Sequence, residues 1–466
     1  MTPSRWLFIL ALSLCTGITL VVPELPLWIR IAIGCSLAGV LLRWHGSWRV
    51  WGVSLLCIAG AAVHTTHFLV LPSAPQGAVA APGVVRRVTH VDADTSRVVI
   101  DLGQGVLVSA SLGAEPPQVG DKGQLRCRSV KTDALRPSIA RRERLVGTCA
   151  TPNFSVHAPG VWYNPYRILA QARQAFMAAV HRALPFAEAS LGIGMVIGDT
   201  SGVDRPTLDA FRATGLTHLV AVSGANLALV LAVVITFLQS RLSRGPRLVV
   251  FSLLTVGFVL LTGGDSSIVR AGIMAVLALV VQARGRRPAT LNVLVVAGMV
   301  MLCANPTFLW DDRGFALSFG ATYGLIAWGQ PMQRGMERWR FPGWLAEALA
   351  ATFAASLATL PISLSSFQRL PVISPLANIA VVPFIPWIMT LVSTAGILAL
   401  VFPPLAMVPG TVAWLLIRVV AWVAQVGSSV TWASMAMTPI TASLLGLCIF
   451  LLTSFFFRKH VRQLFQ

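Results

Sequence analysis

The sequence predicts a polytopic α-helical membrane protein of about twelve spans, with one small extracytoplasmic β-barrel domain of OB type. Three observations carry this. Hydrophobic residues make up 55% of the 466 positions and charged residues only 11%, whereas a soluble domain is about a quarter charged. Apolar runs recur along the chain, and Lys and Arg gather in alternate loops between them. Residues 72–160 break this pattern with short alternating stretches bounded by turn residues. The net charge of +19 follows first from the positive-inside rule; it is compatible with a nucleic-acid substrate without establishing one.

Taken in order, residues 1–71 hold three apolar runs, 6–22, 27–42 and 51–71. The first is read as an anchor span and not a cleaved leader, because two more runs follow at once. Arg5, Arg43 and Arg49 place the N-terminus and the second loop in the cytoplasm, so the third run exits on the outer side. Residues 72–160 open with a Pro/Gly/Ala linker. Val84–Val91 and Arg97–Asp101 then alternate around an Asp-rich turn, as a hairpin does. Gly105–Ser111, Gln124–Val130 and Leu145–Ala150 add three short strand candidates. Five short strands suit an OB-type barrel, although an unspecified β module fits the pattern nearly as well. Arg86, Arg87, Arg126, Arg128 and the cluster from Arg136 to Arg144 give it a basic face, but it lacks the stacking aromatics of a strong single-strand binder. Cys127 and Cys149 are the cysteine pair in polar sequence and form a candidate disulfide outside the cytoplasm. Cys15, Cys35, Cys57, Cys303 and Cys448 lie in apolar sequence and read as buried small hydrophobes. No metal-ligand spacing is present, and no metal or cofactor is expected.

Residues 161–200 read as amphipathic, interfacial helices; Pro165 to Ala183 carries Arg167, Arg173, His181 and Arg182 and is expected on the outer membrane surface. Gly192, Gly194 and Gly198 suggest close helix packing. Residues 201–466 form the main transmembrane domain. Its expected spans are 222–238, 248–262, 268–283, 289–303, 315–329, 345–366, 373–398, 405–427 and 440–457. Basic loops at Arg241–Arg247, Arg284–Arg287 and Arg334–Arg340, with the basic tail from Arg458, fall on the cytoplasmic side.

The stretch that organises the chain runs from Gly198 to Leu238. It enters as an Asp-rich loop and leaves as an apolar helix, with His218, Ser223, Gly224 and Asn226 between. On a continuous helix at about 100° per residue, His218, Ser223 and Asn226 fall within a sector of roughly 140°. Polar groups at the lip of a span are costly unless they face protein or water. The same residues also suit a capping turn in which Ser223 and Asn226 bond locally. Asp199, Asp204 and Asp209 suit helix capping better than cation binding.

Phe211-Arg212, Gly215-Leu216-Thr217-His218-Leu219 and Ala221-Val222-Ser223-Gly224 resemble the signature of the ComEC competence-channel family, bacterial inner-membrane proteins that pass transforming DNA into the cytoplasm. Three further stretches resemble it in the same order. They are Ser267-Ile268-Val269-Arg270-Ala271; Asn305-Pro306 with Gly314-Phe315-Ala316-Leu317-Ser318-Phe319; and Ala358-Thr359-Leu360-Pro361 with Phe367-Gln368, Ser374-Pro375-Leu376-Ala377-Asn378 and Val382-Pro383. Many members carry His where this chain has Asn226. Larger members also hold a metallo-β-lactamase-like domain after their spans; no HxHxDH-type cluster exists here, and no nuclease activity is expected.

The resemblance implies a membrane channel for single-stranded DNA, working with an outer DNA receptor and a cytoplasmic translocating ATPase, and contacting membrane lipids. Transport and not catalysis is the expected chemistry. Arg212 and Arg270 are the expected lining cations, with His218, Ser223 and Asn226 as neutral hydrogen-bonding groups at the constriction. Gly215, Gly224, Ser318, Phe319, Gln368 and Asn378 complete the expected channel motif. A transporter or flippase for a small solute or lipid-linked glycan is the alternative; it calls for an acid inside a span, and Glu347 is the acid best placed. An intramembrane enzyme built on His218 and Ser223 ranks behind both, for want of an Asp partner or a metal pair.

Overall fold

A computed structural model describes residues 3–21, 48–69, 79–92, 95–103, 106–112, 117–131, 144–150, 152–158, 165–220, 224, 226–229, 231, 243–430, 434–458 and 460. The expected span 27–42, Ser223 and most of the expected span 222–238 lie outside the described residues.

Two helices, α1 (Pro3–Val21) and α2 (Trp48–Leu69), pack together before the β domain. Gly17 makes this possible, because a Cβ there would meet the Ile58 carbonyl and the Ala61 methyl. Seven strands follow: β1 (Val79–Asp92), β2 (Thr95–Asp101), β3 (Leu107–Leu112), β4 (Lys122–Cys127), β5 (Ser129–Lys131), β6 (Leu145–Ala150) and β7 (Asn153–Ala158). The hairpin expected around Asp92–Ser96 is present, with Asp92 opposite Thr95. The sheet runs β5-β6-β3-β2-β1-β4-β7 and is open, so the closed barrel of the sequence reading is not what the hydrogen bonds draw. The pairs are antiparallel except β3 with β6. β4 continues through Arg128 into β5, which stands at the other edge, and a Cys127–Cys149 disulfide (S–S 1.99 Å) ties β4 to β6. Both cysteines sit in the core with Val85, Val98, Ile100, Val108 and Leu125.

The helical part begins with a hairpin of α3 (Pro165–Ala183) and α4 (Phe186–Ile197). α3 has the expected bounds and packs against the bundle. Ala179 and Val180 are fully buried, and a Cβ on Gly396 would meet the Phe176 ring. Part of its apolar stripe is taken up by helix packing. Its first turns bolt the β domain to the bundle, through Arg167 to Asp121 (3.2 Å) and Gln171 to Gln118 (3.2 Å). α4 is buried from Ala189 to Ile197 and centres the largest core cluster.

Then come α5 (Arg205–Ala213), α6 (Thr217–Val220), α7 (Arg244–Leu261), α8 (Ser266–Ala283), α9 (Thr290–Ala304), α10 (Phe308–Asp311) and α11 (Arg313–Gly324). A π-helical turn, Leu325–Gly329, joins α11 to α12 (Gln330–Arg338). The chain closes with α13 (Gly343–Phe367), β8 (Arg369–Pro371), α14 (Ser374–Val381), α15 (Ile385–Val401), α16 (Pro403–Ser429), β9 (Ser434–Ala436) and α17 (Pro439–Phe456). Among the described residues, four helical segments are long and apolar enough to cross a membrane: Ser266–Ala283, Leu345–Ser366, Ser374–Val401 and Pro403–Ser429. Six shorter apolar helices accompany them. The bounds of the described helices follow the expected apolar runs closely.

Candidate functional site

The motif stretches, far apart in sequence, meet in space. α5 ends at Ala213 with Thr214 as its cap, and Gly215 follows at φ +72°. The Gly215 N–H donates to the Arg212 carbonyl and the Leu216 N–H to the Phe211 carbonyl, at 3.2 and 2.8 Å. This is a Schellman cap, and its accompanying apolar contact is supplied by Phe211 and Leu216, both buried. Only glycine takes this φ without strain. The same glycine touches the next motif: a Cβ at Gly215 would lie 2.6 Å from the Ser374 hydroxyl and 3.2 Å from the Pro371 Cβ.

The second junction centres on Arg270 in α8. The Ser267 and Ser318 hydroxyls are 2.9 Å apart, and Ser266 donates to Asp312 at 3.2 Å. Asp312 caps α11 by accepting from the Phe315 N–H at 2.9 Å. These bonds lock α8 to α11. Arg270, 8% exposed, then reaches between them: Nη1 donates to the Thr322 hydroxyl, and the guanidinium lies 5.8 Å from the Phe319 ring centre. Gly224 faces it, where a Cβ would sit 3.3 Å from Nη2 and 3.0 Å from the Ala271 methyl. Arg270 Nε has no hydrogen-bond partner, and no carboxylate among the described residues pairs with the group. A charge placed in a span costs about 2.5–3.5 kcal/mol. A cation kept there without a counter-ion is a binding group waiting for an anion, or a strut.

The other expected residues divide. Asn226 is 4% exposed and donates from Nδ2 to the Met195 carbonyl at 2.6 Å. Met195 lies in the last turn of α4, where carbonyls lack helical partners. Asn226 therefore satisfies a carbonyl at the end of α4. His218 stays exposed on α6, with Nδ1 3.2 Å from the Gly215 carbonyl. Of the expected polar face, His218 and Asn226 bond to different carbonyls, and Ser223 lies outside the described residues. Arg212 is exposed and pairs with Asp209 at 2.6 Å. Gln368 caps α13 at φ 54°, donating its backbone N–H to the Leu364 carbonyl and accepting from Met437 at 2.9 Å. Asn378 is buried; its Nδ2 donates to the Ser374 carbonyl at 2.9 Å while Oδ1 has no partner.

Of the three aspartates, Asp204 caps α5 as expected, accepting from Thr207 at 3.1 Å. Asp199 is a clamp. It accepts from the Ser201 N–H and hydroxyl and from Arg173 Nη2 at 3.0 Å, while Arg173 Nη1 reaches the Leu261 carbonyl at 3.2 Å. Burial alone would raise the Asp199 carboxyl; the Ser201 bonds and the Arg173 charge outweigh it and hold the group below the ordinary carboxylate range.

One ion pair that no motif flagged lies among the long helices. Arg418, near the middle of α16, stands 3.6 Å from Glu188 of α4 and 5.3 Å from the Trp414 ring centre. Its signal in the sequence was a single Arg inside an otherwise apolar run, WLLIRVVAW, which is by itself a reason to suspect function.

A family model described as "Competence protein" matches residues 195–462, a stretch that contains both the Gly215–Ser374 and the Arg270 junctions. The chain is 25% identical over 236 residues to "ComE operon protein 3" of Bacillus subtilis (strain 168), covering 50% of this chain and 29% of that one. It is 28% identical over 280 residues to "Competence protein ComA" of Neisseria gonorrhoeae, covering 56% of this chain and 38% of that one. No solved structure matches. With the family model spanning more than half of the sequence, the chain belongs to the competence protein family.

Proposed function

We propose that this protein is a bacterial inner-membrane channel that imports single-stranded transforming DNA into the cytoplasm. Family membership supports a role in DNA uptake. Arg270 is the single observation that carries the channel reading: a buried cation in a span-length helix, without a carboxylate among the described residues, held beside the motif glycine Gly224. A polyanion crossing a low-dielectric slab needs sparse cations that bind each phosphate weakly enough to release it. An arginine fixed by a hydroxyl and an aromatic ring, and not by an acid, keeps its charge for a passing phosphate.

In this reading the chain is multi-pass, with about twelve spans, both termini in the cytoplasm and residues 72–160 outside. The outer compartment is oxidising, which suits the disulfide. Strand connectivity supports an OB-type module there. β4 through β5 behaves as one strand that pairs with β1 at one end and β6 at the other, and the parallel β3–β6 pair fits the same plan. Energy comes from a cytoplasmic translocating ATPase and substrate from an outer DNA receptor; the protein itself is no enzyme. The competing transporter or flippase reading requires an uncompensated acid within a span. Glu188 is engaged with Arg418, and Glu347 is exposed in the first turns of α13, which favours the channel.

The test is uptake of labelled DNA by a deletion strain complemented with the wild type or with Arg270→Gln. Uptake should vanish on deletion. It should fall about tenfold for Arg270→Gln, the equivalent of one charge-assisted contact of about 1.4 kcal/mol. Normal uptake in the deletion strain overturns the reading.

A further inference from the structure

Arg418 lies near the midpoint of α16, a helix of 27 residues that is apolar and long enough to cross a membrane. Its depth is fixed by its neighbours. Gly192 of α4 packs against Ile417 and against Val392 of α15, so three helices cross beside the arginine. The buried side of α16 is Ala406, Gly410, Ala413, Ile417, Val420 and Ala424. Arg418 is on the other side, with its side chain 63% exposed. One turn beyond it on that side is Trp422, 62% exposed, and then Gln425, also exposed. One turn before it is Trp414, whose ring holds the guanidinium.

Lipid is a poor neighbour for this face. The Arg418–Glu188 contact, at 3.6 Å, is longer than a hydrogen bond and does not offset desolvating both ions. Water is a good neighbour, since it leaves both groups hydrated. A cation beside exposed indole, with no sequence-reading groups, is the combination that takes single-stranded nucleic acid by backbone and base stacking together.

We propose that this face of α16 lines an aqueous path and is an anion step on it, with Arg418 exchanging Glu188 for successive phosphates of a single strand while Trp422 offers its ring to the bases. Trp414 positions the guanidinium. The loose pair with Glu188 is the resting state: it neutralises the cation between phosphates without locking it. This step is separate from Arg270 and rests on the DNA-import reading.

The test uses the full chain in membrane vesicles, with Cys15, Cys35, Cys57, Cys303 and Cys448 replaced by Ala. Arg418→Cys, Trp422→Cys and, as an apolar exposed control in the middle of α17, Leu447→Cys are each treated with a membrane-impermeant charged methanethiosulfonate. Thiolate forms in water and not in lipid, so Arg418→Cys and Trp422→Cys should react at least about tenfold faster than Leu447→Cys. A single-stranded oligonucleotide should slow Trp422→Cys, which keeps Arg418, severalfold. Reaction as slow as the control at both positions means that lipid or protein covers the face and overturns the proposal. Fast reaction of Trp422→Cys indifferent to the oligonucleotide overturns it too, because the ligand is then not a polyanion. The readout is water access and protection, so failed DNA import in cells, which would sink the channel reading, is a distinct result.

Discussion

Gly215 and Ser374 are in direct backbone-to-side-chain contact: a methyl group on Gly215 would sit 2.6 Å from the Ser374 hydroxyl and 2.7 Å from its Cβ. The Schellman cap that ends α5 is thereby seated on the first turn of α14. Gly215→Ala meets two penalties, the left-handed φ, which costs about 1–2 kcal/mol for an L-residue, and the collision. Thermal unfolding of the purified protein should show the larger loss for Gly215→Ala alone. Ser374→Gly in the same chain should recover the steric share and leave the conformational one.

Asn226 gives a second prediction. Its amide satisfies a carbonyl in the last turn of α4, so Asn226→Ala leaves a buried acceptor without a partner, at a cost of about 1–3 kcal/mol. Asn226→His keeps a ring N–H to offer and should retain most of the stability. Equal stability of the Ala and His variants in a thermal melt would show that the bond contributes nothing.

Much of the helical part was legible because apolar runs announce themselves. The run read as 289–303 is Thr290–Ala304, and the one read as 405–427 is Pro403–Ser429. The β hairpin was legible from its Asp-rich turn. β7 went unread although Asn153–Ala158 alternates polar and apolar residues, because the run is short and gains its place by pairing with β4. The packing of α3 was not legible, because an amphipathic helix looks alike whether its apolar stripe meets lipid or another helix; Phe176 lies against Gly396. In the candidate site, the motif residues were legible individually, but no local pattern says that Gly215 meets Ser374 or that Gly224 meets Arg270. The Asn226 partner was illegible for the same reason: it is a carbonyl on a helix thirty-one positions away in sequence. Arg418 went unremarked because one charge does not break an apolar window.

The Arg173–Asp199 clamp predicts an acid-sensitive step. The Asp199 carboxyl is held below its ordinary value, with Ser201 and Arg173 overcoming the opposing effect of burial. A depressed carboxylate stabilises the fold above its unfolded value of about 3.9, and that contribution fades as pH falls through the lower folded-state value. Unfolding midpoints should therefore be level from pH 7 to about 4 and drop below it, as far as this group is concerned. Asp199→Asn should cost about 1.5–3 kcal/mol at neutral pH, the range for a hydrogen bond to a charged group, and should flatten the acid step.

The disulfide carries the last prediction. β5 pairs with β6 over only Ser129–Lys131 against Thr148–Ala150, so few hydrogen bonds hold that edge of the sheet. The Cys127–Cys149 bond, closing a sequence separation of 22, supplies the remaining tie between β4 and β6. Cys127→Ser should destabilise the β domain by about 2–4 kcal/mol, as expected for a loop of this size. The loss should show as faster amide exchange in β4, β5 and β6, with α4, α15 and α16 unchanged, because those helices have their own core. Reductant should reproduce it in the wild type and do nothing further to the variant. Unchanged exchange in the three strands after the substitution would mean that Val85, Ile100 and Leu125 hold the sheet together unaided.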